Sequence, residues 1–192
     1  EETGGSGVTT AAYQIYPQEA IMVDVSFAKQ PGVASVTAAE LGKGPMIGVS
    51  PALNPKVTEL LFETAQKEKI PYQTEVMGGV TGTNADEAAV AKGGVSCGLV
   101  SIPQRNMPVC WPRILWIGGA VVTDFKLLED LCRARGISGQ EAAVRELIMD
   151  QVKPYADQIT LDNLGNLLVF KQGAERPKTK LMLSAHMDEV GF

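Results

Sequence analysis

His186 is the only imidazole among 192 residues, and it stands in "LMLSAHMDEVGF" with Asp188 two positions on. Asp24 lies inside the apolar run "IMVDVSF", and Glu1 and Glu2 precede a glycine-rich turn into a helix. An ionised carboxylate in a buried strand costs several kcal/mol unless it is paired or bound to a cation. Ligand sites of open α/β sheets gather at the carboxyl ends of strands, where His186 and Asp24 would fall. Glu1, Glu2, Asp24, His186 and Asp188 converging on one point would suit a divalent metal such as zinc or cobalt. The spacing of Asp188 is that of a carboxylate holding the imidazole tautomer from behind. Each residue also has an ordinary reading: a structural histidine, a solvated terminus, an aspartate capping a strand end.

These residues need a sheet to bring them together, and the sequence supplies its parts. "EAIMVDVSF" (Glu19–Phe27) and "VSCGLVSI" (Val95–Ile102) read as buried strands. "NPKVTELLFETAQKEKI" has helical spacing, with Asn54 before Pro55 as a cap pair, and "PYQTEVM" alternates as a strand. "NADEAAVAK" starts a short helix with Asn84 as its expected cap. An amphipathic helix is expected from Asp124 to Gly136, then another behind a capping box of Ser138 and Glu141. "QITLDNLGNLLVFKQG" reads as a hairpin turning at Asn163–Gly165, and "TKLMLSAHM" as a further buried strand. Strand–helix alternation of this kind predicts an α/β sandwich with a largely parallel or mixed sheet.

Composition narrows the function. Hydrophobic content of 45% with 20% charge is that of a soluble globular protein. A net charge of −5 argues against nucleic-acid and anionic-membrane partners. The apolar run "ILWIGGAVV" (Ile114–Val122) is too short to span a bilayer, which needs about 20 residues. Cys97, Cys110 and Cys132 have no CxxC spacing and fit reduced, cytoplasmic thiols. "LGKGP" and "GGVTGT" match no phosphate-loop spacing.

"LMLSAHMDEVGF" resembles the first metal-ligand strand of the dinuclear metallo-aminopeptidases, the glutamyl, deblocking and tetrahedral aminopeptidases among them. Some members of that family carry the name cellulase or endoglucanase. "EETGGSGVTTAAYQI" is similar to the family's double-glutamate motif and "AIMVDVSFA" to its aspartate-ligand strand. The stretches from "LGKGPMIGV" to "SIPQRNM" resemble its carboxyl-terminal half, and "FKLLEDLCRARGISGQEAAVRELI" onward its amino-terminal segment. The resemblance implies a three-layer, zinc-peptidase-like α/β/α sandwich with a mixed sheet. It divides the chain into 1–107, a joint at 108–123, and 124–192, the two segments together forming one domain. It makes His186, Glu2 and Asp24 metal ligands, Asp188 the partner of His186, and Glu1 the general base that deprotonates the attacking water. One or two zinc or cobalt ions per chain, a peptide substrate and a possible homo-oligomer follow from it.

The chain also departs from the family pattern. The histidine segment follows the double glutamate instead of preceding it, and the Asp-Asp-Arg motif with its bridging aspartate is absent. Pro108 stands where a second metal histidine would follow "IPQRNM". The expected function is metal-dependent release of amino-terminal residues from peptides, with a reduced ligand set. Two alternatives are a rearranged fragment without catalysis and a glycoside hydrolase acting on β-glucan. The hydrolase would need two carboxylates about 5–9.5 Å apart across a sugar. An aromatic content of 6% offers little sugar platform.

Overall fold

Asn54 and Pro55 open helix α2 (Pro55–Lys67) as their order predicts. The Asn54 side chain accepts from the N–H groups of Lys56 at 3.0 Å and Val57 at 3.3 Å, satisfying two donors that a helix start leaves open. The computed structural model describes residues 4–33, 38–105, 125–174 and 179–189. Around α2 they form α1 (Ser6–Ile15), β1 (Glu19–Phe27), β2 (Met46–Val49), β3 (Gln73–Val76), α3 (Asn84–Ala89) and β4 (Ser96–Gln104). The later part of the chain adds α4 (Phe125–Arg133), α5 (Ala142–Val152), β5 (Gln158–Leu161), β6 (Leu167–Phe170) and β7 (Leu181–Ser184).

Five strands make a mixed sheet in the order β3-β2-β4-β1-β7. β1 runs parallel to both β4 and β7, β2 runs parallel to β3, and the two blocks meet where β2 pairs antiparallel with β4. Helices cover both faces. Gly98 of β4 lies beneath α2, so closely that a Cβ would come within 2.7 Å of Val57 Cγ1. Its neighbours Cys97 and Leu99 turn to the other face, where they join Val8 and Ala12 of α1, Ala85 and Ala88 of α3, Ala20 and Met22 of β1, and Met182 of β7. This is the α/β/α layering that the sequence predicts. β5 and β6 form a separate antiparallel hairpin turning through Asp162–Asn166, as expected.

Several local expectations need correction. β7 is an edge strand, not a buried one: Met182 is buried in the core, but Leu181 and Leu183, which alternate onto the opposite face, are 57% and 71% exposed. The cap of α3 is Thr83, whose hydroxyl accepts from Ala85 N–H, and Asn84 is already helical. The Ser138–Glu141 capping box does not form. α5 begins after Glu141 with no side-chain cap bond, and Glu141 accepts from Gly139 N–H instead. α4 stops at Arg133, short of Gly136. β2 was not anticipated, since "MIGV" is short and contains a glycine. Asp124 and the joint at 108–123 lie outside the described residues. No helix among the described residues is long and apolar enough to cross a membrane.

Candidate metal centre

β1 occupies the middle of its parallel block, with β4 on one side and β7 on the other. The last register pair between β1 and β7 is Met22 with Ser184. Two residues further along each strand direction come Asp24 and His186. Met22, buried in the core, and Asp24 share a face of β1, so Asp24 emerges at the end of the apolar layer. On its other side Asp24 pairs in register with Ser101, which is 1% exposed.

His186 lies between two carboxylates. Its Nε2 is 3.5 Å from Asp24 Oδ1, and its Nδ1 is 3.0 Å from both Asp188 Oδ1 and the Asp188 backbone oxygen. The side chains are screened from water: His186 is 22% exposed, Asp24 17% and Asp188 5%. The Asp24 carboxylate, at the long limit of a hydrogen bond, raises the imidazole pKa most. Burial opposes it, while the charge of Asp24 and the bond from Asp188 add to the rise.

The segment after β7 is held by the connector between α4 and α5. Glu189 N–H donates to Gly136 O at 2.8 Å, and Ile137 bridges Glu189 in parallel. A Cβ on Gly136 would sit 3.2 Å from Met187 O and 2.7 Å from Val144 Cγ2, so glycine is what allows the two segments to close together. From the same connector Ser138 Oγ donates to Asp188 Oδ2 at 2.5 Å. The sequence reading missed this contact because it assigned Ser138 to a helix cap. The available signal was a hydroxyl set between Gly136 and Gly139 in a short helix connector, where the chain can approach another segment closely.

Of the five expected site residues, then, Asp24, His186 and Asp188 come together. Glu1 and Glu2 lie outside the described residues. Among the described residues no group of three or more His, Cys, Asp or Glu is arranged to hold a metal ion. The donor pair that is present does fit one. Two ligands each about 2.0–2.2 Å from a zinc ion stand at most about 4.4 Å apart. The 3.5 Å between Nε2 and Oδ1 lies inside that span. Asp188, behind the ring, fits the carboxylate that commonly backs a metal-bound histidine.

Comparison with known proteins finds aminopeptidase relatives over part of the chain. Over 107 residues it is 41% identical to the lysyl aminopeptidase of Pyrococcus furiosus, covering 56% of this chain and 31% of that protein. The fold is similar to that of an aminopeptidase from the archaeon Desulfurococcus kamchatkensis, with a TM-score of 0.51 and 41% identity over 56% of this chain and 32% of that one. The chain thus spans about a third of the length of these relatives. The sequence pattern of the M42 glutamyl aminopeptidases matches residues 1–108, more than half of the chain, and the chain belongs to that family.

Proposed function

We propose that the chain is a metal-dependent hydrolase that releases amino-terminal residues from peptides, built around His186 and Asp24. The observation that carries this reading is the line from Asp188 through His186 to Asp24. One ring nitrogen is secured by acceptors, and the other faces a second oxygen donor 3.5 Å away. Family membership supplies the reaction class.

Asp188 accepts a hydrogen bond from Nδ1–H and so leaves the Nε2 lone pair directed at the same point as Asp24 Oδ1. Glu2 is the third donor in this reading, and Glu1 the general base that takes a proton from the attacking water and returns it to the leaving amine. When bound, a divalent ion polarises the scissile carbonyl and makes water acidic enough to attack near neutral pH. The expected ion is zinc or cobalt, one per chain from the donors named, and the substrate is a peptide with a free amino terminus. Residues 1–107 and 124–192 act as one unit in this proposal, since β7 brings His186 to the strand that holds Asp24. The free thiols of Cys97 and Cys132 support a reducing, cytoplasmic setting. The geometry favours this reading over glycoside hydrolysis, because Asp24 and Asp188 both engage one imidazole instead of facing each other across open space.

The test is bound metal per chain, with hydrolysis of aminoacyl substrates measured before and after chelation. About one zinc or cobalt per chain, and hydrolysis lost both with chelator and in His186→Ala, supports the proposal. No metal uptake after incubation with either ion, or hydrolysis indifferent to chelation, overturns it.

A further inference from the structure

Ser138 and Asp188 belong to different parts of the fold, the α4–α5 connector and the segment after β7. Their contact is nonetheless short, with Oγ donating to Oδ2 at 2.5 Å. The carboxylate of Asp188 is 5% exposed, so each of its oxygens needs a partner within the protein. Oδ1 faces His186 Nδ1 at 3.0 Å. The second group on Nδ1, the Asp188 backbone oxygen at 3.0 Å, is also an acceptor with no hydrogen to give. Asp24 Oδ1 is an acceptor too, but it lies 3.5 Å from Nε2, whereas Nδ1 has two acceptors at 3.0 Å, so the neutral ring is better served with its hydrogen on Nδ1 and its lone pair on Nε2. The carboxylate's share in that assignment depends on its rotation about the Cβ–Cγ bond. A hydroxyl from another element, gripping the oxygen remote from the ring, fixes the rotation.

We propose that Ser138 is a positioning residue of this site: by holding Asp188 Oδ2 it keeps His186 in the Nδ1–H tautomer, with the Nε2 lone pair open beside Asp24. The proposal rests on the metal-site reading above for its consequence, though not for its first readout. The connector is built for the task. The Gly136 main chain packs on Met187 O and accepts from Glu189 N–H at 2.8 Å, which brings Ser138 alongside Asp188. The competing role for Ser138, capping α5, is not used, since that helix starts without a side-chain cap bond.

A single histidine makes the test direct, because every imidazole-nitrogen signal of the 15N-labelled chain belongs to His186. Ring spectra recorded above the imidazole's titration range distinguish the two neutral tautomers. Titration with cobalt(II) alone then measures affinity. Wild type is expected as the Nδ1–H form. Ser138→Ala is expected to give a mixture containing the Nε2–H form and a cobalt affinity lower by about 10–100-fold. Ser138→Thr, which keeps the hydroxyl, is expected to restore both.

Wild-type spectra and affinity in Ser138→Ala overturn the proposal, and so does a Ser138→Thr variant as impaired as the alanine. Should Ser138→Ala not fold, Ser138→Cys, with a weak donor of similar size, carries the same comparison. If wild type takes up no cobalt, the metal reading fails, and the tautomer spectra alone decide the role of Ser138.

Discussion

The thiol of Cys97 shows how strongly position governs chemistry at a single residue. It is 1% exposed in the layer between α1, α3 and the sheet, and burial first, then the charge of Asp86, pushes its pKa up to about 11. Only the thiolate reacts readily. In a chain with Cys110 and Cys132 replaced by serine, Cys97 is therefore expected to resist a thiol reagent at neutral pH and to label on unfolding. Labelling of the native chain at the rate of a free cysteine would contradict that burial. At the candidate site, the bond between His186 and Asp188 was legible in their spacing of two. The meeting of His186 with Asp24 was legible only as a shared position near strand ends. Their proximity depends on the register of β1 with β7, and no local pattern encodes a register between distant strands. Ser138 was misread because a hydroxyl three residues before a glutamate has the same sequence signature whether it caps a helix or reaches another segment.

The start of α2, settled by a local cap bond, was legible in the sequence, and the edge position of β7, settled by its neighbours, was not. Asn54 caps α2 through two backbone N–H groups, and its amide also donates to Ser96 Oγ at 3.1 Å. Asn54→Ala is expected to lower stability by about 1–2 kcal/mol, with Asn54→Asp retaining most of it, as read from urea midpoints. Equal loss in both variants would assign the effect to the Ser96 bond. The exposed side of β7 was unreadable for the opposite reason: "LML" is apolar at every position, and only the sheet order makes the strand an edge. The β5–β6 turn adds a pH dependence. Burial works against the charged form of Asp162, but bonds from the Asn166 side chain and backbone, Leu164 N–H and the Gln14 amide outweigh it, leaving the pKa below the ordinary value. A depressed folded-state pKa contributes stability that is complete above the unfolded value, about 3.9, and lost as pH falls through the folded one. Asp162→Asn is thus expected to have a shallower loss of thermal stability over that acid range than wild type. Parallel acid limbs would remove Asp162 from the account.

On the scale of the molecule, the sheet joins what the sequence keeps apart. Residues 1–105 provide β1 to β4, whereas β7 comes from near the far end of the chain and completes the parallel block beside β1. The seam is more than one strand deep. Lys180 Nζ donates to Ile15 O at 2.8 Å, Asn166 Nδ2 to Gly7 O at 3.0 Å, and Gln14 Nε2 to Asp162 Oδ2 at 2.9 Å, so α1 is tied both to the hairpin and to the approach to β7. Met182 is the apolar centre of this seam, 4% exposed and packed in one core with residues of α1, α3, β1 and β4. If the two segments fold as one unit, truncating that side chain should weaken the whole molecule together. Met182→Ala is expected to cost about 2–5 kcal/mol. Unfolding should remain a single transition, with calorimetric and van't Hoff enthalpies in agreement. Two transitions in wild type, with only one moved by Met182→Ala, would mean that the later segment docks on a sheet able to stand without it. His186 would then reach Asp24 only in the docked state, and metal affinity would follow docking. Coincident loss of metal uptake and of secondary structure on heating marks the single unit, and earlier loss of metal marks the docked one.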